Sequence, residues 1–229
     1  MIVSHKHKFI FLKTNKTAGT SVEIALSRFC GADDVITPIS PKDEKTRKGL
    51  GYRGAQNYRT PLSGYSFKDF FAVLLHGKLK KRFYNHMQAK EAQCHIPCEI
   101  WNEYFKFTIE RNPFDRCISH YYFAHKKEPR PSLSEHVNLQ SHDLKRKGYY
   151  LYTANDVVVV DKICRFEALS AELENVRLTL GLPEPLNLPN AKSGYRKDNS
   201  SHREIIDDKT RNKIASLFSE EMDLMEYHW

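Results

Sequence analysis

Three times along this chain, a short apolar run precedes a stretch with the apolar spacing of a helix, and this alternation constrains the fold most strongly. An apolar run of about four to eight residues is typical of a buried strand, whereas apolar residues three and four apart line one side of a helix. The pairs are 9–12 with 20–29, 104–109 with 113–122, and 157–160 with 169–180. Strands that alternate with helices favour a parallel sheet covered by helices. The sequence therefore predicts an α/β fold with a central parallel sheet flanked by helices.

The ends of these elements carry their own signals. Thr20 or Ser21 is predicted to cap the first helix, and Pro113 suits the first turn of the second, where its missing N–H costs nothing. Gly181 is predicted to end the third helix. The run 157–160 is four consecutive valines, which is typical of a strand buried on both faces of a sheet.

The length of the chain, 229 residues, suits one hydrophobic core, and we expect a single domain over 1–229. From 31 to 64 the sequence is rich in Gly, Pro, Lys, Asp and Thr and has little periodicity, which predicts a long irregular segment. A basic, polar loop is predicted over 187–203, followed by a final amphipathic helix from about Asp207.

The formal net charge of +8 favours an anionic partner without choosing its class. Five scattered cysteines do not resemble a disulfide framework, and Cys94 with Cys98 is a weak zinc signature, so no metal is predicted. Every apolar run is far shorter than the roughly 20 residues that span a bilayer. We therefore expect a soluble, cytoplasmic protein with no membrane span.

A first candidate site lies where the first strand gives way to its helix, at Lys16-Thr17-Ala18-Gly19-Thr20-Ser21. Backbone N–H groups, hydroxyls and an ammonium group there meet a positive helix N-terminus, an arrangement that binds anions. The order of residues is not that of a nucleoside-triphosphate P-loop, because lysine opens the turn instead of closing it. A well-capped helix beside a solvated Lys16 is the alternative reading.

A second candidate site follows the second strand, in Arg111-Asn112-Pro113-Phe114-Asp115-Arg116 with Ser119. Ser119 lies eight residues after Arg111, about two helical turns along the helix. A guanidinium group binds phosphate oxygens with two hydrogen bonds, and a serine hydroxyl adds another donor. Alternatively, Arg111 pairs with a carboxylate such as Asp115, and Ser119 is an ordinary helix residue.

Together and in this order, the two motifs resemble the donor-binding motifs of sulfotransferases that use 3′-phosphoadenosine 5′-phosphosulfate (PAPS), particularly the carbohydrate branch that modifies heparan and chondroitin. The resemblance implies a P-loop-like nucleotide-binding sulfotransferase fold and PAPS as co-substrate without a metal. It assigns Lys16 to the bridging oxygen and the sulfuryl group, and Arg111 and Ser119 to the 3′-phosphate. The residues that it assigns to the 5′-phosphosulfate loop are Lys16, Thr17, Ala18, Gly19, Thr20 and Ser21.

Asn15 and Glu110 depart from the family pattern, which often has proline before the lysine and an apolar residue or cysteine before the arginine. An acid at 110 is expected to weaken donor binding. The resemblance also places a basic loop over the nucleotide, although a solvated loop is the alternative. The residues of that loop are Lys192, Ser193, Arg196 and Lys197.

A general base is required to deprotonate the acceptor, and histidine suits this role near neutral pH. The resemblance favours His86, with His120, His125 or an acidic residue as substitutes. Cations and tyrosines over 33–83 are predicted to form either an acceptor surface or a solvated loop.

The sequence thus predicts an enzyme that transfers a sulfuryl group from PAPS to an acceptor hydroxyl, on an anionic or neutral carbohydrate, by in-line attack assisted by a base. A catalytically inactive nucleotide-binding homologue, a kinase and a basic nucleic-acid-binding protein are the alternatives. No nucleic-acid partner is expected, because no recognised nucleic-acid module is present. The acceptor and the oligomeric state stay open.

Overall fold

The computed structural model describes residues 1–77, 79–189 and 201–229, which form an α/β fold around a five-stranded sheet. The strands are β1 (Ile2–Ser4), β2 (Phe9–Phe11), β3 (Val35–Ile36), β4 (Phe105–Glu110), β5 (Thr153–Ala154), β6 (Val157–Val158) and β7 (Lys162–Arg165). The helices are α1 (Gly19–Ser27), α2 (Pro41–Gly49), α3 (Phe67–His76), α4 (Ala89–His95), α5 (Cys98–Glu103), α6 (Pro113–Ala124), α7 (Leu133–Arg146), α8 (Leu169–Thr179), α9 (His202–Ile205), α10 (Asp208–Leu217) and α11 (Ser219–Met225). Short 3₁₀ turns lie at Leu62–Gly64, Tyr149–Leu151 and Phe166–Ala168.

The central sheet has the order β3-β1-β2-β4-β7. Strands β2, β4 and β7 are parallel, and Phe11 pairs with Phe107 in the register of β2 and β4. The predicted central parallel sheet is therefore confirmed. Strand β1 extends it antiparallel to β2, because a tight turn with Lys8 at φ 50° joins the two strands into a hairpin, and β3 then pairs antiparallel with β1.

Both faces of the sheet are covered, because successive side chains of β2 enter different hydrophobic cores. Phe9 and Phe11 pack in one core with Val22 of α1. Ile10 packs in the other core with Trp101 of α5. A third core joins α6, α7 and α10, so the C-terminal helices are anchored to the helix that follows β4.

The prediction that 157–160 forms a strand buried on both faces of the sheet was wrong. Val157 and Val158 pair with β5 in a separate antiparallel hairpin, and the side chain of Val157 is 64% exposed. Asn155 and Asp156 both have positive φ, as a tight two-residue hairpin turn requires, and this turn holds Val157 beside Ala154. The third parallel strand is instead β7, which begins at Lys162.

The prediction of an irregular segment over 31–64 was also wrong in part, because β3 and α2 lie within it. The side chain of Ser40 accepts a hydrogen bond from the N–H of Asp43, and Pro41 occupies the first turn of α2. Capping and charge, rather than an apolar stripe, thus define this helix.

Helix α1 begins at Gly19, after Ala18 in the left-handed conformation, and no side chain caps it, so the predicted cap at Thr20 or Ser21 was wrong. In α6, by contrast, Pro113 occupies the first turn as predicted, and the Asn112 side chain accepts a hydrogen bond from the N–H of Phe114. Within the described ranges, no helix combines the length and the apolar character needed to cross a membrane.

Candidate active site

A cleft of about 450 Å³ opens where β2, β4 and β7 end. Its wall includes Lys16 after β2, Arg111 after β4 and Phe166 after β7. The carboxyl ends of parallel strands are the usual binding edge of such a sheet. The cleft therefore lies where the two sequence motifs are expected to meet.

The loop between β2 and α1 is shaped by two residues in the left-handed region, Lys16 at φ 64° and Ala18 at φ 57°. Such a sequence of conformations directs successive backbone N–H groups toward one point, which suits an anion. The loop is tied down on two sides, because Thr14 donates through its hydroxyl to the Ile109 carbonyl and the Asn15 N–H donates to the Lys147 carbonyl at 2.9 Å. The loop is therefore held in place by β4 and by the end of α7.

The second motif contacts the first directly. Nη1 of Arg111 donates to the carbonyl oxygen of Lys16 at 3.4 Å, and the Arg111 guanidinium group lies 4.3 Å from the centre of the Phe166 ring. The Lys16 ammonium group lies 4.2 Å from the centre of the Phe123 ring. Ser119, two turns along α6, lines the same cleft. Two cationic side chains, each set on an aromatic ring, thus face one cavity.

Seven of the predicted site residues line the cleft: Lys16, Ala18, Gly19, Thr20, His86, Arg111 and Ser119. Thr17 and Ser21 are buried in the loop and in α1, and the Thr17 hydroxyl lies 2.8 Å from that of Thr14. Their side chains therefore support the loop. The predicted Lys192, Ser193, Arg196 and Lys197 lie outside the described residues.

Six further residues line the cleft that the sequence did not assign to the donor site or choose as the base: Thr14, Asn15, His120, Phe123, Lys147 and Phe166. Phe166 directly follows β7, so a correct assignment of that strand would have located it. His120 lies beside Ser119, and the sequence identified it only as a substitute base. Lys147 comes from the end of α7, and no local pattern marks it.

A buried ion pair lies beneath the loop. Nζ of Lys13 contacts Oε2 of Glu23 at 2.6 Å, and Nη2 of Arg47 contacts Oε1 of Glu23 at 3.4 Å. Burial alone would raise the pKa of the Glu23 carboxyl, but Lys13, the Met1 amino group and Arg47 together lower it to about 2. Glu23 is therefore ionised and holds Lys13 in place against the loop.

Two histidines line the cleft, and both are neutral at pH 7. Burial and the nearby Lys13 lower the pKa of His86 to about 3, and its Nδ1 lies 2.8 Å from the Lys13 carbonyl oxygen. Burial, followed by His136 and Lys16, lowers the pKa of His120 to about 4. Neutral imidazole is the form that accepts a proton, so both rings are in the protonation state of a base.

Glu110, the acid that was expected to weaken donor binding, is fully buried and engaged inside the protein. Its Oε1 contacts Nη1 of Arg116 at 2.6 Å, and Nη2 of Arg116 contacts Glu221 at 3.1 Å. The carboxylate thus joins β4 and α6 to α11 and does not line the cleft.

A family model described as the sulfotransferase family matches residues 1–149, more than half of the chain. A solved structure of mouse sulfotransferase SULT7A1 complexed with PAP is similar with a TM-score of 0.47 and 15% sequence identity, over 96% of this chain and 86% of that chain. No curated protein matches. On the evidence of the family match, the chain belongs to the sulfotransferase family.

Proposed function

We propose that the chain transfers a sulfuryl group from PAPS to a hydroxyl group of a carbohydrate. The observation that carries this proposal is the contact between the two motifs, which lie 95 residues apart in sequence. Arg111 donates to the Lys16 carbonyl, and both side chains line one cleft with Ser119. PAPS carries anionic groups at its 5′ and 3′ positions, so two cationic positions in one cavity match its charge.

The first position would hold the 5′-phosphosulfate. The Lys16 ammonium group would contact the bridging oxygen and the sulfuryl group, and the N–H groups of Ala18, Gly19 and Thr20 would bind the 5′-phosphate at the start of α1. The predicted donor contacts of Thr17 and Ser21 would come from their backbone, since the side chains are buried.

The second position would hold the 3′-phosphate. The guanidinium group of Arg111 offers paired N–H donors, and the Ser119 hydroxyl adds another from the adjacent helix. Phe166 supports the Arg111 plane at 4.3 Å and so restricts its orientation. The basic loop with Lys192 and Arg196 is proposed, as the sequence predicts, to cover the nucleotide.

The reaction requires the acceptor oxygen to attack sulfur in line with the leaving phosphate oxygen. The new O–S bond forms as the S–O bond to the 5′-phosphate breaks, and 3′-phosphoadenosine 5′-phosphate (PAP) leaves with that electron pair. Lys16 would stabilise the developing negative charge, which is the electrostatic role that such a transfer needs. The acceptor proton must pass to a base, and His86 and His120 are the two histidines of the described cleft wall.

The carbohydrate acceptor rests on the resemblance of the two motifs to the carbohydrate branch. Sugar hydroxyls are weakly acidic, so their deprotonation requires a base in the cleft. His86 and His120 are neutral and can therefore accept a proton, although pKa values of about 3 and about 4 make them weaker bases than an exposed histidine. A nucleotide-binding homologue without activity would have the same donor site. A measurement of sulfuryl transfer distinguishes an active enzyme from such a homologue.

Calorimetric titration with PAP tests the donor site. We expect the wild-type protein to bind one PAP, and the Arg111→Ala, Ser119→Ala double variant to bind at least about tenfold more weakly, because a hydrogen bond to a charged group contributes about 1.5–3 kcal/mol. The matched control is Arg211→Ala, Ser219→Ala, which removes the same residue types from α10 and α11, away from the cleft.

No binding of PAP by folded wild-type protein would refute the proposal, and salt-sensitive binding to DNA or RNA instead would favour a nucleic-acid-binding protein. Equal affinity in both double variants would refute the placement of the 3′-phosphate. Turnover of sulfate-labelled PAPS with desulfated heparin and desulfated chondroitin then tests the acceptor class.

A further inference from the structure

Three histidine rings are hydrogen-bonded in series beside the cleft. Nδ1 of His120 lies 3.0 Å from Nε2 of His136, and Nδ1 of His136 lies 2.9 Å from Nε2 of His125. His120 belongs to α6, His136 to the first turns of α7, and His125 directly follows the last residue of α6. We call these three side chains the histidine series.

The histidine series runs from the cleft to the protein surface. His120 lines the cleft and is 8% exposed, and His136 is 2% exposed. His125 is half-buried and lies between the exposed residues Ala124 and Lys126. The buried middle ring therefore connects a ring at the cleft to a ring at the surface.

The hydrogen-bond pattern determines what each nitrogen can do. Neutral imidazole has one N–H and one unprotonated nitrogen. If His120 donates through Nδ1, its Nε2 is unprotonated, and His136 must then donate through Nδ1 to Nε2 of His125. In the opposite alignment of the hydrogen bonds, each ring carries its proton on Nε2 in place of Nδ1. The two alignments differ by the passage of one proton along the series.

We propose that His120 is the general base of the sulfuryl transfer and that His136 and His125 carry its proton to solvent. This inference rests on the proposed function. Nε2 of His120 takes the acceptor proton as the O–S bond forms. His120 then gives its Nδ1 proton to His136, His136 gives its Nδ1 proton to His125, and His125 releases its Nδ1 proton to water.

After PAP and the sulfated product leave, His125 takes a proton from water at Nδ1, each ring passes its Nε2 proton to the next ring, and His120 releases its Nε2 proton to water in the open cleft, which restores the first alignment. Protons and charge therefore balance over the cycle, and no further reactant is required. The three rings are hydrogen-bonded in a row, so their nitrogens do not face one common point as metal ligands would. Among the described residues, no group of histidine, cysteine and acidic side chains is placed to hold a metal ion.

His86 lacks such an exit through its bonded nitrogen. Its Nδ1 faces the carbonyl oxygen of Lys13, which accepts a hydrogen bond but does not take up a proton near neutral pH. This contact joins the His86 ring to the residue that opens the loop between β2 and α1. Because that contact requires the proton on Nδ1, Nε2 of His86 is unprotonated, so His86 stays the alternative base, without a second histidine among the described residues to pass its proton to.

The charged groups that act on His120 come from two elements besides its own. Lys16 belongs to the loop after β2, and Asp143 and Lys147 belong to α7 and its end. Asp143 also pairs with Lys147, so α7 places an ion pair near the ring. Variants for the test leave these three groups in place.

Nitrogen-15 NMR of histidine-labelled protein tests the series without any turnover. We expect couplings through hydrogen bonds between ring nitrogens of His120 and His136 and of His136 and His125, and their loss in His136→Phe. His142→Asn is the control, because His142 is an exposed histidine on the same helix, α7. Failure to detect these couplings under conditions that keep the fold would overturn the relay.

Turnover of labelled PAPS with desulfated heparin or desulfated chondroitin tests the chemistry. We expect His120→Asn to lower kcat by about 100-fold or more, as for loss of a general base, with unchanged PAP affinity. His136→Phe and His125→Ala should each lower kcat by about tenfold and reduce the solvent deuterium isotope effect, and free imidazole should restore about threefold of the His125→Ala loss. His142→Asn should match the wild type.

Unchanged kcat in His120→Asn would overturn the base assignment. Unchanged kcat and isotope effect in His136→Phe and His125→Ala would overturn the relay alone. Failure of wild-type protein to bind PAP would instead refute the proposed function, and the NMR couplings would still decide whether the series exists.

Discussion

Gly19 has no room for a side chain, and adding one methyl group tests how the loop of the cleft is held. A Cβ at this position would lie 2.5 Å from Cγ and 3.0 Å from Cδ of Lys13. Real Cβ contacts are essentially never this short, so one of the two residues must move. Lys13 cannot swing into solvent, because its side chain is 1% exposed and its ammonium group is paired with Glu23 at 2.6 Å.

The expected cost of Gly19→Ala follows from these contacts. Forcing an extra methyl group into a packed site costs about 1–3 kcal/mol. Breaking a buried ion pair costs about 3–5 kcal/mol, because it leaves an uncompensated charge. Since the overlap involves Lys13 atoms near the backbone, we expect the pair to be distorted but kept, and a loss of about 3 kcal/mol in the free energy of unfolding.

Urea unfolding measures this loss, and Gly49→Ala is the matched control. Gly49 is the last residue of α2, and no heavy atom lies within 4 Å of its added Cβ. We expect that variant to be neutral or to gain up to about 1 kcal/mol, because alanine favours helix and restricts the unfolded chain. PAP affinity should fall in Gly19→Ala and stay unchanged in Gly49→Ala.

A double-mutant cycle with Lys13→Ala identifies the source of the loss. Without the Lys13 stem the overlap disappears, so Gly19→Ala should cost less than about 1 kcal/mol in that background. An equal cost in both backgrounds would refute the clash and show that the loop, rather than Lys13, excludes a side chain.

Three further predictions concern the buried ion pairs. The pKa of Glu23 is lowered from 4.5 to about 2, so the stability that its ionised form contributes is present above pH 4.5 and is lost as the pH falls toward 2. Urea unfolding across this range should show a loss of about 3 kcal/mol in the wild type that Glu23→Gln lacks. The same dependence of unfolding free energy on pH in both proteins would contradict this. Gly148→Ala should lower the free energy of unfolding by about 3 kcal/mol, since its Cβ would lie 2.4 Å from Nη1 of Arg116, and a neutral result by calorimetry would show that Arg116 relocates freely. Glu110→Gln should cost about 1.5–3 kcal/mol in urea unfolding, because Arg116 loses one charged partner but keeps Glu221. Weaker PAP binding by the folded variant would contradict the placement of Glu110 outside the cleft.

Strands β2 and β4 of the parallel part were predictable because their runs are apolar or alternating, whereas β7 was missed, since Lys162 and Arg165 leave it only two apolar residues. Strands β1 and β3 have three and two residues, too few for a periodic pattern to appear. The valine run 157–160 shows the limit of composition, since the same residues suit a buried strand and an exposed hairpin. The turn at Asn155 and Asp156 decided between them, and its positive φ angles are properties of the folded backbone.

The meeting of the two motifs was predictable from topology, whereas much of the cleft wall was not. Lys16 and Arg111 follow neighbouring parallel strands, so their loops must share one edge of the sheet. Lys147 reaches the cleft from the end of α7, and its carbonyl binds the Asn15 N–H. That contact depends on how α7 packs against α6, which no local pattern reports.

The histidine series depends on where α6 ends. In a continuous α-helix, residues five apart point about 140° away from each other, so His120 and His125 would diverge. The helix stops at Ala124, and His125 has φ −112° and ψ 82°, with its carbonyl oxygen held by Nε of Arg130 at 2.9 Å. This break turns the second ring back toward His136, whose two nitrogens then bond one histidine each. A change that extends α6 by one turn should therefore separate the rings while leaving all three histidines in the sequence.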